Sequence, residues 1–282
     1  MITQVNVTND RGTVLQLPLS GVGLTYPVKD ISGLGPGKAT LDAGKYGTAL
    51  TSDDFRGYQG ERRNIVLTLG LEPNYATQTV ASIRKALYSW FTPLSYVKLE
   101  FVSDDMATVQ IAGWVESAEP SIFAQEPDMQ ISIICPIGYF TDPVLKTASG
   151  AGTADTTTRI TVPYNGTIRN GFLLELTLTS PMKYFVISNN STTDEVLSIV
   201  YSSTTDMPGA STAKVSTIPG SKYAVSYSAS WAGGQLSLLS YIDPANDTWP
   251  LLRKGDNLFS VRVASGEVIS YTLKYYELYG GL

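Results

Sequence analysis

The chain has 282 residues, hydrophobic residues at 43% of positions, charged residues at only 16% and a formal net charge of −5. It contains no histidine and one cysteine, Cys135. This composition excludes His-dependent nucleophilic and acid/base catalysis, His-ligated zinc and an internal disulfide, and it lacks the basic excess of a nucleic-acid-binding protein.

The first half opens with short strand patterns that glycine-rich turns separate. These patterns are Val5–Thr8, Val14–Leu17 and Val22–Val28. A polar stretch, Asp42–Gly60, follows without a clear period, and loops of this length usually have a function or reach a partner. Ile65–Leu71 then alternates apolar and polar residues, which predicts a strand with one buried face.

One segment has the periodicity of an amphipathic helix. Within Asn74–Trp90, the apolar residues Val80, Ile83 and Leu87 recur on one face. Pro93 prevents the helix from continuing. Three more strands are predicted after it, at Val97–Phe101, Thr108–Ser117 and Met129–Cys135.

The composition changes at residues 147–158, a run of small polar residues that is typical of a linker. We therefore divide the chain into two domains, 1–145 and 146–282. Val261–Glu267 has the residues of a hairpin turn. The second half otherwise consists of short strand patterns, which indicate a sandwich or jelly roll. They are Phe172–Thr179, Lys183–Ser188, Glu195–Tyr201, Tyr223–Tyr227, Gln235–Leu239, Leu258–Val263 and Val268–Tyr276.

Few residues offer catalytic chemistry. Cys135 shares a strand face with other apolar residues, which indicates a buried, unreactive thiol. Residues 32–39 resemble a phosphate loop but have Ser and Ala where such a loop needs glycine and a hydroxyl. The carboxylate pair Glu116/Glu119 leaves glycoside hydrolysis as an open alternative. We expect no enzymatic activity, no cofactor and no metal.

A second alternative is a carbohydrate-binding β-sandwich module that recognises host cell-surface glycans. Trp231 and Trp249 are its candidate contact residues, because with Tyr227 and Tyr241 they could form a platform for stacking sugars. Aromatic residues of the core and of interfaces are the other interpretation of these positions. The N-terminus has no signal-peptide pattern and no apolar run is long enough for a membrane span, so we expect no membrane insertion.

The order of several strand-and-turn segments resembles that of the distal tail proteins of long-tailed bacteriophages with flexible tails. No single segment is diagnostic, but the series covers essentially the whole chain. The segments are Glu61–Leu69, Val109–Ser117, Met129–Phe140, Asn165–Phe172, Thr248–Val261 and Tyr275–Leu282.

The resemblance implies a mainly β protein. Its first domain would be a tail-tube-like β-sandwich or barrel with one α-helix, and its second a galectin-like or jelly-roll β-sandwich. Six copies would form a ring in the virion, at the distal end of the tail, after assembly in the host cytoplasm. The implied partners are further copies of the chain, the tail tube protein, proteins of the tail tip and tape measure, and receptor-binding proteins, while DNA only passes through the lumen.

A ring requires contacts between subunits, and the polar loop Asp42–Gly60 is well suited to clamp a neighbour. Tyrosine and arginine are enriched at interface hot spots. The candidate interface residues are therefore Tyr46, Arg56, Tyr58, Arg62 and Arg63. The 10 basic and 14 acidic residues of positions 1–140 would suit a lumen through which DNA slides without sticking.

Overall fold

The computed structural model describes residues 1–36, 62–121, 125–154, 159–179, 181–190, 195–201, 207, 211–228 and 234–282. The described residues form three antiparallel sheets and one α-helix, so the prediction of a mainly β protein with a single helix is confirmed for this part of the chain. The chain divides into two compact units, which we call unit 1 (Met1–Pro143 with Tyr279–Leu282) and unit 2 (Val144–Leu278).

Unit 1 is built on one large antiparallel sheet. Its main strands are β1 (Ile2–Asn9), β2 (Val14–Pro18), β3 (Val28–Ser32), β4 (Arg63–Gly70), β5 (Tyr96–Ser103), β6 (Val109–Pro120), β7 (Asp128–Cys135) and β8 (Phe140–Thr141). The order across the sheet is β2-β1-β5-β6-β7-β4-β3, and β8 pairs with β6. The predicted alternation is confirmed in β4, where Ile65, Leu67 and Leu69 are all fully buried.

The helix α1 (Val80–Tyr88) covers the buried face of this sheet. Ile83 and Leu87 are buried in the same cluster as the inward side chains of the strands, so the predicted apolar stripe is confirmed. The helix begins later than the predicted start at Asn74, because Thr79 supplies the cap. The Thr79 and Ser82 side chains each accept a bond from the other's backbone N–H, which forms a capping box.

Two predictions are wrong, one for a strand and one for a linker. Val22–Val28 forms bends rather than a strand, and the strand is β3, which begins at Val28. The run 147–158 is not a linker throughout, because Lys146–Gly152 forms β9. Its small residues have a packing reason: a Cβ on Gly150 would lie 2.6 Å from the Tyr271 hydroxyl, and one on Gly152 would lie 2.8 Å from the Val261 carbonyl oxygen.

Unit 2 is a sandwich of two antiparallel sheets. One sheet has the order β10-β18-β12-β13-β17 and the other β16-β15-β14-β11-β19-β9. Side chains of both sheets form one buried core, in which Phe172 packs edge-on against Phe259 with ring centroids 5.0 Å apart. The further strands are β10 (Ile160–Tyr164), β11 (Leu173–Leu178), β12 (Tyr184–Asn189), β13 (Val196–Val200), β14 (Ser211–Ser216), β15 (Tyr223–Tyr227), β16 (Gln235–Ser237), β17 (Ile242–Asp247), β18 (Gly255–Val263) and β19 (Ile269–Tyr275).

The predicted hairpin at Val261–Glu267 is also wrong. A turn is present, but β18 lies in the five-stranded sheet and β19 lies in the six-stranded sheet. Both sides of β18 are already paired, with β10 and β12, and both sides of β19 with β11 and β9. The turn therefore carries the chain from one layer of the sandwich to the other.

The chain ends in unit 1. The short strand β20 (Leu278–Tyr279) pairs with β8, and the Leu282 N–H donates to the Leu34 carbonyl at 3.0 Å. The sequence division had assigned these last residues to the second domain. Besides these contacts, Arg63 of unit 1 donates to the Gly280 carbonyl, as described below.

Candidate functional site

The sheet of unit 1 has one face packed against α1 and the core, and we call its opposite side the outer face. Along β6, the side chains of Val109, Ile111 and Val115 point inward and are buried, whereas Trp114 between them is exposed. This alternation follows from the period of two of a strand. The outer face therefore consists of the residues that alternate with the core positions of β4, β5, β6 and β7.

An exposed aromatic pair lies on the outer face. Tyr96 and Trp114 are register partners on β5 and β6, and their rings meet edge to face with centroids 5.2 Å apart. Tyr96 is 44% exposed and Trp114 is 46% exposed, so a little under half of each residue is open to solvent. Ile134 of β7 is the next residue in the same row.

A polar groove of about 220 Å³ lies on β4, β6 and β7. A β-bulge in β6 between Val115 and Ser117 leaves Glu116 without a register partner on β7. The Ser132 hydroxyl lies 2.7 Å from the Glu116 carboxylate and 3.0 Å from the Asn64 amide oxygen. The groove is lined by Asn64, Val66, Ser117, Glu119, Gln130 and Ser132.

The predicted interface residues lie in different environments, and some of them are not described. Tyr46, Arg56 and Tyr58 lie outside the described residues. Arg62 is exposed just before β4. Arg63 is only 7% exposed, and its side chain is bonded inside unit 1.

Arg63 holds four parts of unit 1 together. Its guanidinium lies 4.7 Å from the centroid of the Phe140 ring. It donates to the carbonyl oxygens of Gly33 and Gly35 through Nη1, to Gly138 through Nε and Nη2, and to Gly280 through Nη2, over 2.6–3.0 Å. This correction to the interface prediction has a clear reason: the alternation of β4 turns position 63 inward, and the planar fork of arginine satisfies several carbonyls at once.

The residues of the predicted sugar platform are only partly described. Trp231 lies outside them. Trp249 is half-buried against the core of unit 2, and the Lys222 ammonium lies 5.7 Å from the centroid of its ring. Tyr241 stacks on the buried Tyr201 at 4.4 Å with nearly parallel rings, so one of its faces is already used.

The single thiol of the chain belongs to Cys135, and its burial makes it unreactive. Cys135 is fully buried on the inner face of β7 beside Gly113, and burial raises its pKa to about 12 although the nearby Arg63 opposes this effect. We expect iodoacetamide at pH 8 to leave the thiol of the folded chain unmodified and to alkylate it fully in urea, because the thiolate is the nucleophile. Intact mass spectrometry after a timed exposure measures both outcomes, and rapid alkylation of the folded chain would contradict a buried thiol.

No cluster of three or more metal-ligating side chains is found in the part of the chain that the structure describes. Among the described residues, no helix is long and apolar enough to cross a membrane. The fold and the outer face thus define a class of protein: two β-built units, of which the first presents a sheet face with exposed aromatic residues.

Within this class, the structure is similar to the Dit protein (gp 19.1) of phage SPP1, which is described as a paradigm of the hub adsorption apparatus in phages that infect Gram-positive bacteria. The TM-score is 0.56 and the sequence identity 13%, over 96% of this chain and 99% of that protein. The resemblance to distal tail proteins is therefore confirmed at the level of the fold. No protein-family model and no curated protein sequence matches the chain.

Proposed function

We propose that the chain is a structural protein of a phage tail tip that forms a ring, most simply a hexamer, between the tail tube and the receptor-binding apparatus. The observation that carries this proposal is the end-to-end similarity to a hub protein, over 96% of this chain and 99% of the other. A likeness to one domain alone would fit many β proteins. Similarity through both units in the same order is what a protein with the same architecture and task would have.

Two features of unit 1 support ring formation. In the described part of its sheet, β2 and β3 are the terminal strands of the main order, and each has a side on which a strand of a neighbour can pair. A closed ring uses such edges and removes them from solvent. The excess of acidic over basic residues in positions 1–140 supports a lumen that repels DNA phosphates and lets the genome pass.

Tyr46, Arg56, Tyr58 and Arg62 remain our candidates for a clamp between subunits. Arg63 leaves this set, because its guanidinium is bonded within its own unit. In this proposal unit 1 binds the tail tube and further tail-tip proteins, and unit 2 is available to the receptor-binding protein. The proposal includes no catalytic step and no cofactor.

The proposed function predicts rings in the purified protein. We expect native mass spectrometry to show one closed oligomer, with six copies as the first candidate, and negative-stain images to show a ring with an open centre. Gold-labelled antibody against the chain should bind the distal end of the tail on phage particles that carry it. Labelling of the capsid, or no labelling of intact or disrupted virions, would contradict the proposal independently of the oligomeric state.

A further inference from the structure

Unit 1 is built from two stretches of the chain that are far apart in sequence. Met1–Pro143 forms most of it, and the chain then passes through the whole of unit 2 before Tyr279–Leu282 returns to unit 1. We call Tyr279–Leu282 the strap. Because a polypeptide is made from its N-terminus, unit 1 lacks the strap until unit 2 has been synthesised.

The strap is bound to the rest of unit 1 by hydrogen bonds and by apolar packing. The Gly280 carbonyl accepts from Arg63 Nη2 at 2.6 Å, and the Leu282 N–H donates to the Leu34 carbonyl at 3.0 Å. Tyr279 and Leu282 are partly buried against the core cluster of unit 1. The strap therefore satisfies polar groups and covers apolar surface, and its removal would leave both exposed.

Gly281 brings the strap too close to the neighbouring backbone for a side chain to fit. A Cβ at this position would lie 2.7 Å from the Pro36 nitrogen and 2.9 Å from the Gly35 carbonyl carbon. A Cβ atom essentially never makes contacts under 3.0 Å, so one of the two segments would have to move. The strap is thus seated on Gly33–Pro36 in one specific position.

The strap and Arg63 together hold Gly33–Pro36 against the start of β4. Gly33–Pro36 precedes residues 37–61, which lie outside the described part of the chain, and β4 follows them. Arg63 Nη1 donates to the Gly33 and Gly35 carbonyls at 2.7 and 2.6 Å, while Nη2 donates to the strap. The two described stretches that flank residues 37–61 are therefore joined through one guanidinium and through the strap.

We propose that the strap is a device that makes assembly depend on completion of the chain. It fixes Gly33–Pro36 and the start of β4 in the arrangement in which unit 1 binds its neighbours, and it does so only in a chain made through Leu282. The exposed Arg62, a candidate for the clamp between subunits, directly precedes Arg63 and depends on this arrangement.

Such a device would keep incomplete chains out of the assembly. In a closed assembly, one defective subunit interrupts the contacts on both of its sides. A chain that stops inside unit 2 contains β1 to β8 and the helix α1 but lacks the strap, so it would not present its contact segments correctly. The inference rests on the proposed function only in assigning these segments to contacts between subunits.

Two glycine-to-alanine substitutions in the full chain test the seat of the strap. Gly281→Ala places a methyl group against the neighbouring backbone, whereas Gly35→Ala places the same group in open space. We expect Gly281→Ala to speed hydrogen exchange in the peptides 33–36, 62–64 and 279–282 by about tenfold or more. Gly35→Ala should leave exchange there within about twofold of the wild type, and neither variant should change exchange in the strands of unit 2.

This comparison decides whether the strap fixes the flanking stretches. Equal exchange in the two variants would overturn the proposal. Faster exchange throughout unit 2 in Gly281→Ala would also overturn it, because the strap would then support the chain as a whole. Unchanged exchange in unit 2 shows that the variant is still folded, so a local effect there cannot result from misfolding.

The second experiment measures whether the strap controls assembly. A chain that lacks Tyr279–Leu282 is produced together with the wild-type chain, and native mass spectrometry counts both in each oligomer. We expect the shortened chain to be depleted from the oligomers by about tenfold or more. Gly35→Ala, mixed with isotopically labelled wild-type chain, should enter as readily as the wild type. Incorporation of the shortened chain in proportion to its amount would overturn the proposal.

Failure of this inference and failure of the proposed function give different results. If the shortened chain is incorporated normally and antibody still labels the tail end, only the role of the strap is wrong. If the wild-type chain forms no oligomer and antibody labels no part of the virion, the proposed function is wrong, and the control of assembly by the strap is overturned with it.

Discussion

Arg63→Ala is expected to lower the free energy of unfolding by about 3–5 kcal/mol, the largest effect we predict for one side chain of unit 1. The guanidinium donates to the carbonyls of Gly33, Gly35, Gly138 and Gly280, and hydrogen bonds to a charged group are the stronger ones. Alanine leaves these carbonyl groups without their donor in a site that excludes most water. It also removes the bond from Arg63 to the Gly280 carbonyl, one of the contacts that hold the C-terminal residues on unit 1.

Urea unfolding followed by tryptophan fluorescence measures this loss, and hydrogen exchange locates it. The peptides around residues 33–35, 138 and 280 should lose protection first. Arg62→Ala is the matched control, since it removes the same side chain from the exposed neighbour and should change stability by less than about 0.5 kcal/mol. Arg63→Lys should recover only part of the loss, because an ammonium group lacks the planar fork. Equal stability of Arg62→Ala and Arg63→Ala would contradict a stabilising role for the Arg63 hydrogen bonds.

Asn257→Ala is expected to cost about 3 kcal/mol in unit 2. Asn257 is fully buried at the start of β18. Its amide nitrogen donates to the carbonyls of Arg253 and Gly255 at 2.8 and 3.1 Å, and its amide oxygen accepts from the Arg253 N–H and from Asn189 Nδ2, both at 3.0 Å. Alanine would leave these groups buried without partners, and each such group carries a desolvation penalty.

The loss should appear as faster exchange of the 251–257 amides and as a lower urea midpoint with an unchanged slope. Asn190→Ala is the matched control in the same unit. Asn190 is exposed and makes one side-chain bond, to Ser260 Oγ at 2.9 Å, so its removal should cost about 1 kcal/mol or less. If Asn257→Ala lowered the free energy of unfolding no more than Asn190→Ala, the side-chain amide of Asn257 would not be what holds the segment 251–257.

The sequence alone predicted which side chains face the core. The alternation in Ile65–Leu71 and the stripe formed by Ile83 and Leu87 are local patterns, and local patterns report the direction of each side chain. Burial of Cys135 could be predicted in the same way, from its place beside Ile131 and Ile133. The mainly β class and the single helix follow from the same kind of information.

The candidate site was predicted less well. Trp114 appeared in the sequence as an ordinary strand residue, and Tyr96 lay just before the predicted strand Val97–Phe101. Their pairing depends on the register between β5 and β6. Leu94 has a φ of 68°, which is unfavourable for leucine. Pro93 suggests a turn at this place in the sequence, but the φ of Leu94 depends on the strand that follows the turn. An exposed leucine after proline, between a helix and a strand, was the signal that sequence reasoning missed.

Only the tertiary structure decided the partners of each segment. The small residues of 147–152 were interpreted as a linker, yet they form β9 because Tyr271 and Ile269 need space opposite Gly150 and Gly152. Arg63 was predicted as a subunit-interface residue, yet it binds carbonyls of its own unit up to 217 positions away. Periodicity is a property of neighbouring residues, whereas pairing, register and the environment of a charge depend on residues that are distant in the chain.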